Sequence, residues 1–132
     1  MIKGIGHIGI AVKNIEDVLT AISKALDLPI PPIRDIPEKK IKVALLDIGR
    51  TALEFIHDYS EEGEFAKFLK EKGNGIHHIC LLTDKIETDI EILKSRGIEM
   101  ADQKPKMGVR RKKIAFVKPS AFNGIPFEVP EP

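Results

Sequence analysis

Apolar positions along the chain change their spacing at regular points. In "IGHIGIAV", residues 5 to 12, apolar residues alternate with small or polar ones, the period of a strand with one covered face. After Asn14, a helix-opening residue type, Ile15, Val18, Leu19, Ile22 and Leu26 recur at three- and four-residue steps and predict an amphipathic helix. The proline-rich "LPIPPIRDIP" allows only a short edge strand, because proline cannot donate to a ladder. "KIKVALLDI" and "TALEFIH" then predict a hairpin across Gly49 and Arg50. The first half reads β-α-β-β-β.

A polar helical connector, "SEEGEFAKFLKEKG", leads into a second run of the same kind. "GIHHICLLT" reads as a strand, and Asp84 with Glu87 three residues on reads as a capping box. The helix so opened should bury Ile86, Ile90 and Leu93 and stop at Gly97. Short strands are expected at "IEMA", "KKIAFV" and "IPFEV". The expected fold is α+β, with two tandem βαβββ modules, about 1–60 and about 74–132, forming a curved mixed sheet within one domain.

The repeat can be tested on particular residues. "HIGIAV" laid over "HICLLT" pairs His7 with His78, an offset of 78 − 7 = 71, and the last strands pair Glu54 with Glu128, an offset of 128 − 54 = 74. The match selects His78, not His77, as the counterpart of His7. Strand alternation puts His7, Gly9 and Ala11 on one face and Ile8, Ile10 and Val12 on the other. His78, Cys80 and Leu82 likewise oppose Ile79, Leu81 and Thr83. If the β-branched faces pack on the helices, the histidine faces look into a concavity, and two imidazoles and two carboxylates there suit a divalent metal. A single strand histidine is more often structural than a ligand; the matched pairs favour the ligand reading. His57 and His77 have no such matches and are expected at the surface or behind the site. Cys80 reads as a small buried hydrophobe that its face would bring near the site.

Length and charge narrow the classes. The 132 residues suit one domain with a real core, and a net charge of +1 gives no overall pull toward nucleic acid or an anionic membrane. No apolar run approaches the ~18 residues of a membrane span, and the start lacks the apolar region of a signal peptide, so a soluble cytoplasmic protein is expected. The lone cysteine cannot form an internal disulfide. One local feature stands out: "KPKMGVRRKK", residues 104 to 113, with six cations, reads either as a solvated hairpin or as an anion-binding segment.

The paired modules with His7, Glu54, His78 and Glu128 resemble the vicinal oxygen chelate (glyoxalase, bleomycin resistance and dioxygenase) superfamily. Within it, "HIGIAVKNIEDV", "EFAKFLKEKGNGIHHIC" and "KIAFVKPS" are most similar to methylmalonyl-CoA epimerases. The chain departs from that pattern at Val109, Arg110 and Arg111, at Lys118 to Ala121, and at Pro126. The resemblance implies one divalent ion (Co, Ni, Mn, Mg or Zn) on His7, Glu54, His78 and Glu128, and a thioester substrate; the positive charges of Arg110, Arg111 and Lys118 make them candidates to meet its anionic groups. It also implies a homodimer. The activity implied is epimerisation of methylmalonyl-CoA or a related acyl-CoA through a metal-stabilised enolate, with Glu128 and Glu54 as catalytic carboxylates. Two acid/base groups are wanted, and "KIKVALLDI" carries no interior glutamate, leaving Lys42, water or Glu54 for the second. A glyoxalase I-like lactoylglutathione lyase would use the same ligands. A metal-free binding protein would not need four, and an extradiol dioxygenase typically uses two histidines and one carboxylate.

Overall fold

A computed structural model describes residues 1–131. The first run of elements is β1 (Ile2–Ala11), α1 (Ile15–Leu26), β2 (Arg34–Ile36), β3 (Ile41–Ile48), β4 (Thr51–Asp58) and α2 (Glu64–Lys72). The second is β5 (Gly75–Thr83), α3 (Ile86–Ser95), β6 (Lys106–Met107), β7 (Lys113–Val117), a 3₁₀ turn at Pro119–Phe122, and β8 (Phe127–Pro130). The chain is thus α+β, with the βαβββ order present twice. Among the described residues, no helix is long and apolar enough to cross a membrane.

The chain forms two compact units, and the division falls inside strands rather than in the connector between modules. Ile8–His77 make one unit; Met1–His7 with the residues from His78 onward make the other. In the first, the strand order is β2-β3-β4-β1, with β2 at the edge as the prolines require. The β3–β4 hairpin closes by pairing Ile48 with Thr51, and Gly49 takes the positive φ (61°) of the tight turn. Asn14 caps α1, its side-chain oxygen accepting from the Asp17 N–H at 3.0 Å. The helix lays Ile15 and Leu19 on Val12, Ala44, Leu46 and Phe55, so the faces of β3 and β4 that carry Lys42, Ala44 and Phe55 are the helix-covered ones.

In the second unit the order is β1-β5-β8-β7-β6. β8 runs parallel to β5, aligning Cys80 with Glu128, and antiparallel to β7, aligning Phe116 with Glu128. Ile86 and Ile90 of α3 pack on Met100, Ala115, Val117 and Val129. Gly97, one residue beyond the C-cap Arg96, has φ 79° and ends the helix as expected.

Three expectations are corrected. The capping box does not form: the N-cap is Lys85, without a side-chain cap, while Asp84 lies 3.5 Å from Lys3 and Glu87 pairs with Lys113 at 2.8 Å. Both carboxylates are drawn to ammonium groups near them. "IEMA" is not a strand and contributes one bridge, Met100 to Val117; the strand partnering β7 is Lys106–Met107, inside the basic run. His77 is buried, its ring centroid 4.6 Å from that of Phe65 and 5.2 Å from that of Phe68, with Glu64 at 3.4 Å. Phe65 and Phe68 of α2 pack against its ring.

Candidate metal and substrate site

β5 alternation sets His78 and Cys80 on one face, and the parallel alignment of β8 puts Glu128 beside Cys80. His7 enters from β1. The result is a buried cluster in which His7 Nε2 is 3.1 Å from His78 Nε2, His78 Nε2 is 3.3 Å from one Glu128 oxygen, and His7 Nε2 is 3.8 Å from the other. His7 and His78 are each 1% exposed and Glu128 6%. Cys80 is fully buried, and ligand atoms of His7, Cys80 and Glu128 lie within 4.8 Å of one another. A Cβ on Gly6 would fall 3.1 Å from the Cys80 sulfur, so glycine there lets β1 run close to β5. The Phe116 ring meets His78 edge-on at 5.4 Å.

Donors at ~2.0–2.1 Å from one ion are separated by ~2.9 Å at a right angle and ~3.4 Å at the tetrahedral angle. The separations of 3.1 and 3.3 Å lie within that range, and the 3.8 Å separation, which ends on the other Glu128 oxygen, lies outside it. His7, His78 and Glu128 are thus placed where they could hold a divalent ion. Protonation supports this. Burial penalises the imidazolium of His7 and lowers its pKa from 6.5 to about 4, with His78 and Arg110 adding to the effect and Glu128 opposing it. Burial by itself would raise the Glu128 carboxyl, but the hydrogen bond and charge of His78, with His7 and Arg110, outweigh it and hold the group below the usual carboxylate range. A neutral imidazole and an ionised carboxylate are the ligating forms.

Arg110 was expected near the substrate on charge alone; its Nη2 lies 3.1 Å from His7 Nδ1. Arg111 is exposed with φ 59°, and Lys118 is exposed and paired with Glu99 at 2.8 Å. Neither is drawn into this cluster. Glu54 belongs to the other unit, where it is 2% exposed on β4 opposite Leu45. Lys42 turns to Glu16 of α1 at 3.7 Å on the helix-covered face of β3. Sequence reasoning did not anticipate Phe116 at the cluster; the alignment of β7 with β8 is the signal that would have found it.

Residues 6–116 match the family model described as the Glyoxalase/Bleomycin resistance protein/Dioxygenase superfamily. The chain belongs to that superfamily. A hypothetical protein of Bacillus halodurans, known by crystal structure, is similar at 37% identity and a TM-score of 0.91, over 97% of this chain and 93% of that one. The "Ethylmalonyl-CoA/methylmalonyl-CoA epimerase" of Cereibacter sphaeroides is 30% identical over 126 residues, 94% of each chain. A Streptomyces coelicolor methylmalonyl-CoA epimerase variant, solved in complex with 2-nitronate-propionyl-CoA, shares the fold at a TM-score of 0.90 and 22% identity, over 99% of this chain and 95% of that one.

Proposed function

We propose that this superfamily member is a metal-dependent epimerase of methylmalonyl-CoA or a related acyl-CoA. The observation that carries the reading is the buried convergence of His7, His78 and Glu128 at 3.1 to 3.8 Å, in a chain 30% identical to an acyl-CoA epimerase. The repeat suggests Glu54 as the fourth donor, since it matches Glu128 and is a buried carboxylate. When bound, the ion supplies Lewis acidity toward two neighbouring substrate oxygens.

The chain's own residues do the rest. Glu128, ionised beside two imidazoles, takes the proton from the carbon between the thioester and the carboxylate. His7 and His78 present buried ring nitrogens beside Glu128. Return of a proton to the opposite face inverts that carbon and needs a second group. Glu54, water and Lys42, the last 3.7 Å from Glu16, are the candidates. Arg110, Arg111 and Lys118 supply positive charge for the carboxylate and phosphates of an acyl-CoA.

The test is deuterium uptake at C2 of methylmalonyl-CoA in heavy water, beside a hemithioacetal isomerisation assay. Uptake by the wild type is expected. At matched metal occupancy, Glu128→Gln should lower turnover by about two to four orders of magnitude, the range for loss of a general base, whereas Glu54→Gln should keep substantial turnover. Hemithioacetal turnover without deuterium uptake would refute the epimerase reading in favour of a lactoylglutathione lyase-like activity.

A further inference from the structure

The hairpin that joins β6 to β7 sends two neighbouring arginines to different places. The Gly108 N–H donates to the Lys112 carbonyl at 2.9 Å and the Arg111 N–H donates to the Gly108 carbonyl at 3.1 Å, which sets Val109 and Arg110 at the centre of a tight turn. A Cβ on Gly108 would come within 2.9 Å of Ile114, so glycine lets this turn lie close on β7. Arg111 takes a left-handed backbone, φ 59°, and is exposed. Arg110 is half-buried, and its Nη2 lies 3.1 Å from Nδ1 of His7. The other nitrogen of that ring is 3.8 Å from Glu128, so a single imidazole separates the guanidinium from that carboxylate. Other cations of the region face carboxylates of the protein instead: Lys106 meets Asp102 at 3.1 Å, and Lys113 meets Glu87 and Lys118 meets Glu99, each at 2.8 Å.

We propose that Arg110 is a specificity-determining residue: its guanidinium receives the free carboxylate of a malonyl-type thioester and so selects such ligands over thioesters of simple monocarboxylic acids. This rests on the epimerase reading above and deepens it by dividing the anionic groups of one ligand between two neighbouring arginines. In a malonyl-type thioester the carboxylate is one bond from the carbon that must face Glu128. The cation that meets it therefore has to stand at the cluster, and Arg110 does. A guanidinium is a planar fork that can hold both oxygens of a carboxylate, and in a half-buried place such a pair is stronger than at an exposed one. A thioester without that carboxylate brings no anion to the guanidinium, which counts against it as a ligand. The phosphates of coenzyme A lie at the far end of the pantetheine arm. They fall to exposed cations of the turn, Arg111 and Lys112.

The experiment is calorimetric titration of the full chain, at equal metal content, with malonyl-CoA and with propionyl-CoA, which carries a methyl group where malonyl-CoA carries its carboxylate. The proteins compared are the wild type, Arg110→Gln, Arg110→Lys and Arg111→Gln. The wild type should prefer malonyl-CoA, and in Arg110→Gln that preference should fall roughly ten- to hundredfold, the range for hydrogen bonds to a charged group, with propionyl-CoA bound as before. Arg110→Lys, which keeps the charge but not the fork, should retain part of the preference. Arg111→Gln should keep the wild-type ratio, because its effect falls on the two thioesters alike. An equal malonyl-to-propionyl ratio in the wild type and Arg110→Gln, or an equal loss of both ligands in Arg110→Gln, would overturn the assignment; deuterium uptake by the wild type would then leave the epimerase reading standing. Binding of neither thioester by the wild type would overturn both.

Discussion

Burial of His7 has a direct consequence for the stability of the metal-free protein. The ring keeps its ordinary pKa of 6.5 in the unfolded chain and falls to about 4 in the fold. Between these values the unfolded state binds more protons, so acid favours unfolding and stability falls as pH drops through this window. At pH 5 the unfolded ring is ~97% protonated and the folded ring only ~10%, a difference that removes about 2 kcal/mol relative to pH 7 or above. In urea this corresponds to a midpoint lower by roughly 1 M.

The assay is urea unfolding at pH 7 and pH 5 in the presence of a chelator, for the wild type and for His7→Gln. Glutamine keeps hydrogen-bonding capacity without a titrating group, and every other histidine is common to both proteins. The wild type should therefore lose about 2 kcal/mol more than the variant between the two pH values. Both pH values lie above the ordinary range of Glu128, which is itself held lower, so the carboxylate stays ionised at each. Equal losses in the two proteins would refute the claim that His7 is held neutral by its surroundings.

Two further outcomes follow from the same strands. His78→Ala should lose divalent metal while His77→Ala keeps it, as read by metal content after dialysis; equal content in the two variants would refute the assignment of neighbouring histidines to opposite faces. Ile90→Ala, 1% exposed among Ile86, Met100 and Val129, should cost about 2–5 kcal/mol in urea unfolding, and a cost below 1 kcal/mol would mean that this core is not well packed.

Much of the site was legible because strand periodicity is strict. A period of two fixes which neighbours share a face, so the match of His7 with His78 carried information about two side chains 71 residues apart that lie 3.1 Å from each other. The same rule does not say what lies against each face. His77 was left between the surface and a place behind the site because nothing in β5 itself signals that Phe65 and Phe68 of α2 fold over it. Helix termini were less legible for a related reason. Asp84 and Glu87 have the right types and spacing for a capping box, but local hydrogen bonds of this kind are worth about 1 kcal/mol, and Lys3 and Lys113 offer the two carboxylates competing partners.

The basic run shows how far charge patterning reaches and where it stops. Six cations between residues 104 and 113 signal an anion or solvent, and for Lys106 and Lys113 the partners are the carboxylates Asp102 and Glu87. Arg110 differs because backbone geometry, not charge, decides its position. Gly108 permits the close turn on Ile114, and the turn delivers a guanidinium to a ring 103 residues away. A cation beside a histidine is electrostatically unfavourable if that histidine is charged, and burial has already removed the charge from His7. The neutral ring then accepts a hydrogen bond from the arginine. The burial that keeps His7 neutral is therefore also what admits the guanidinium beside it.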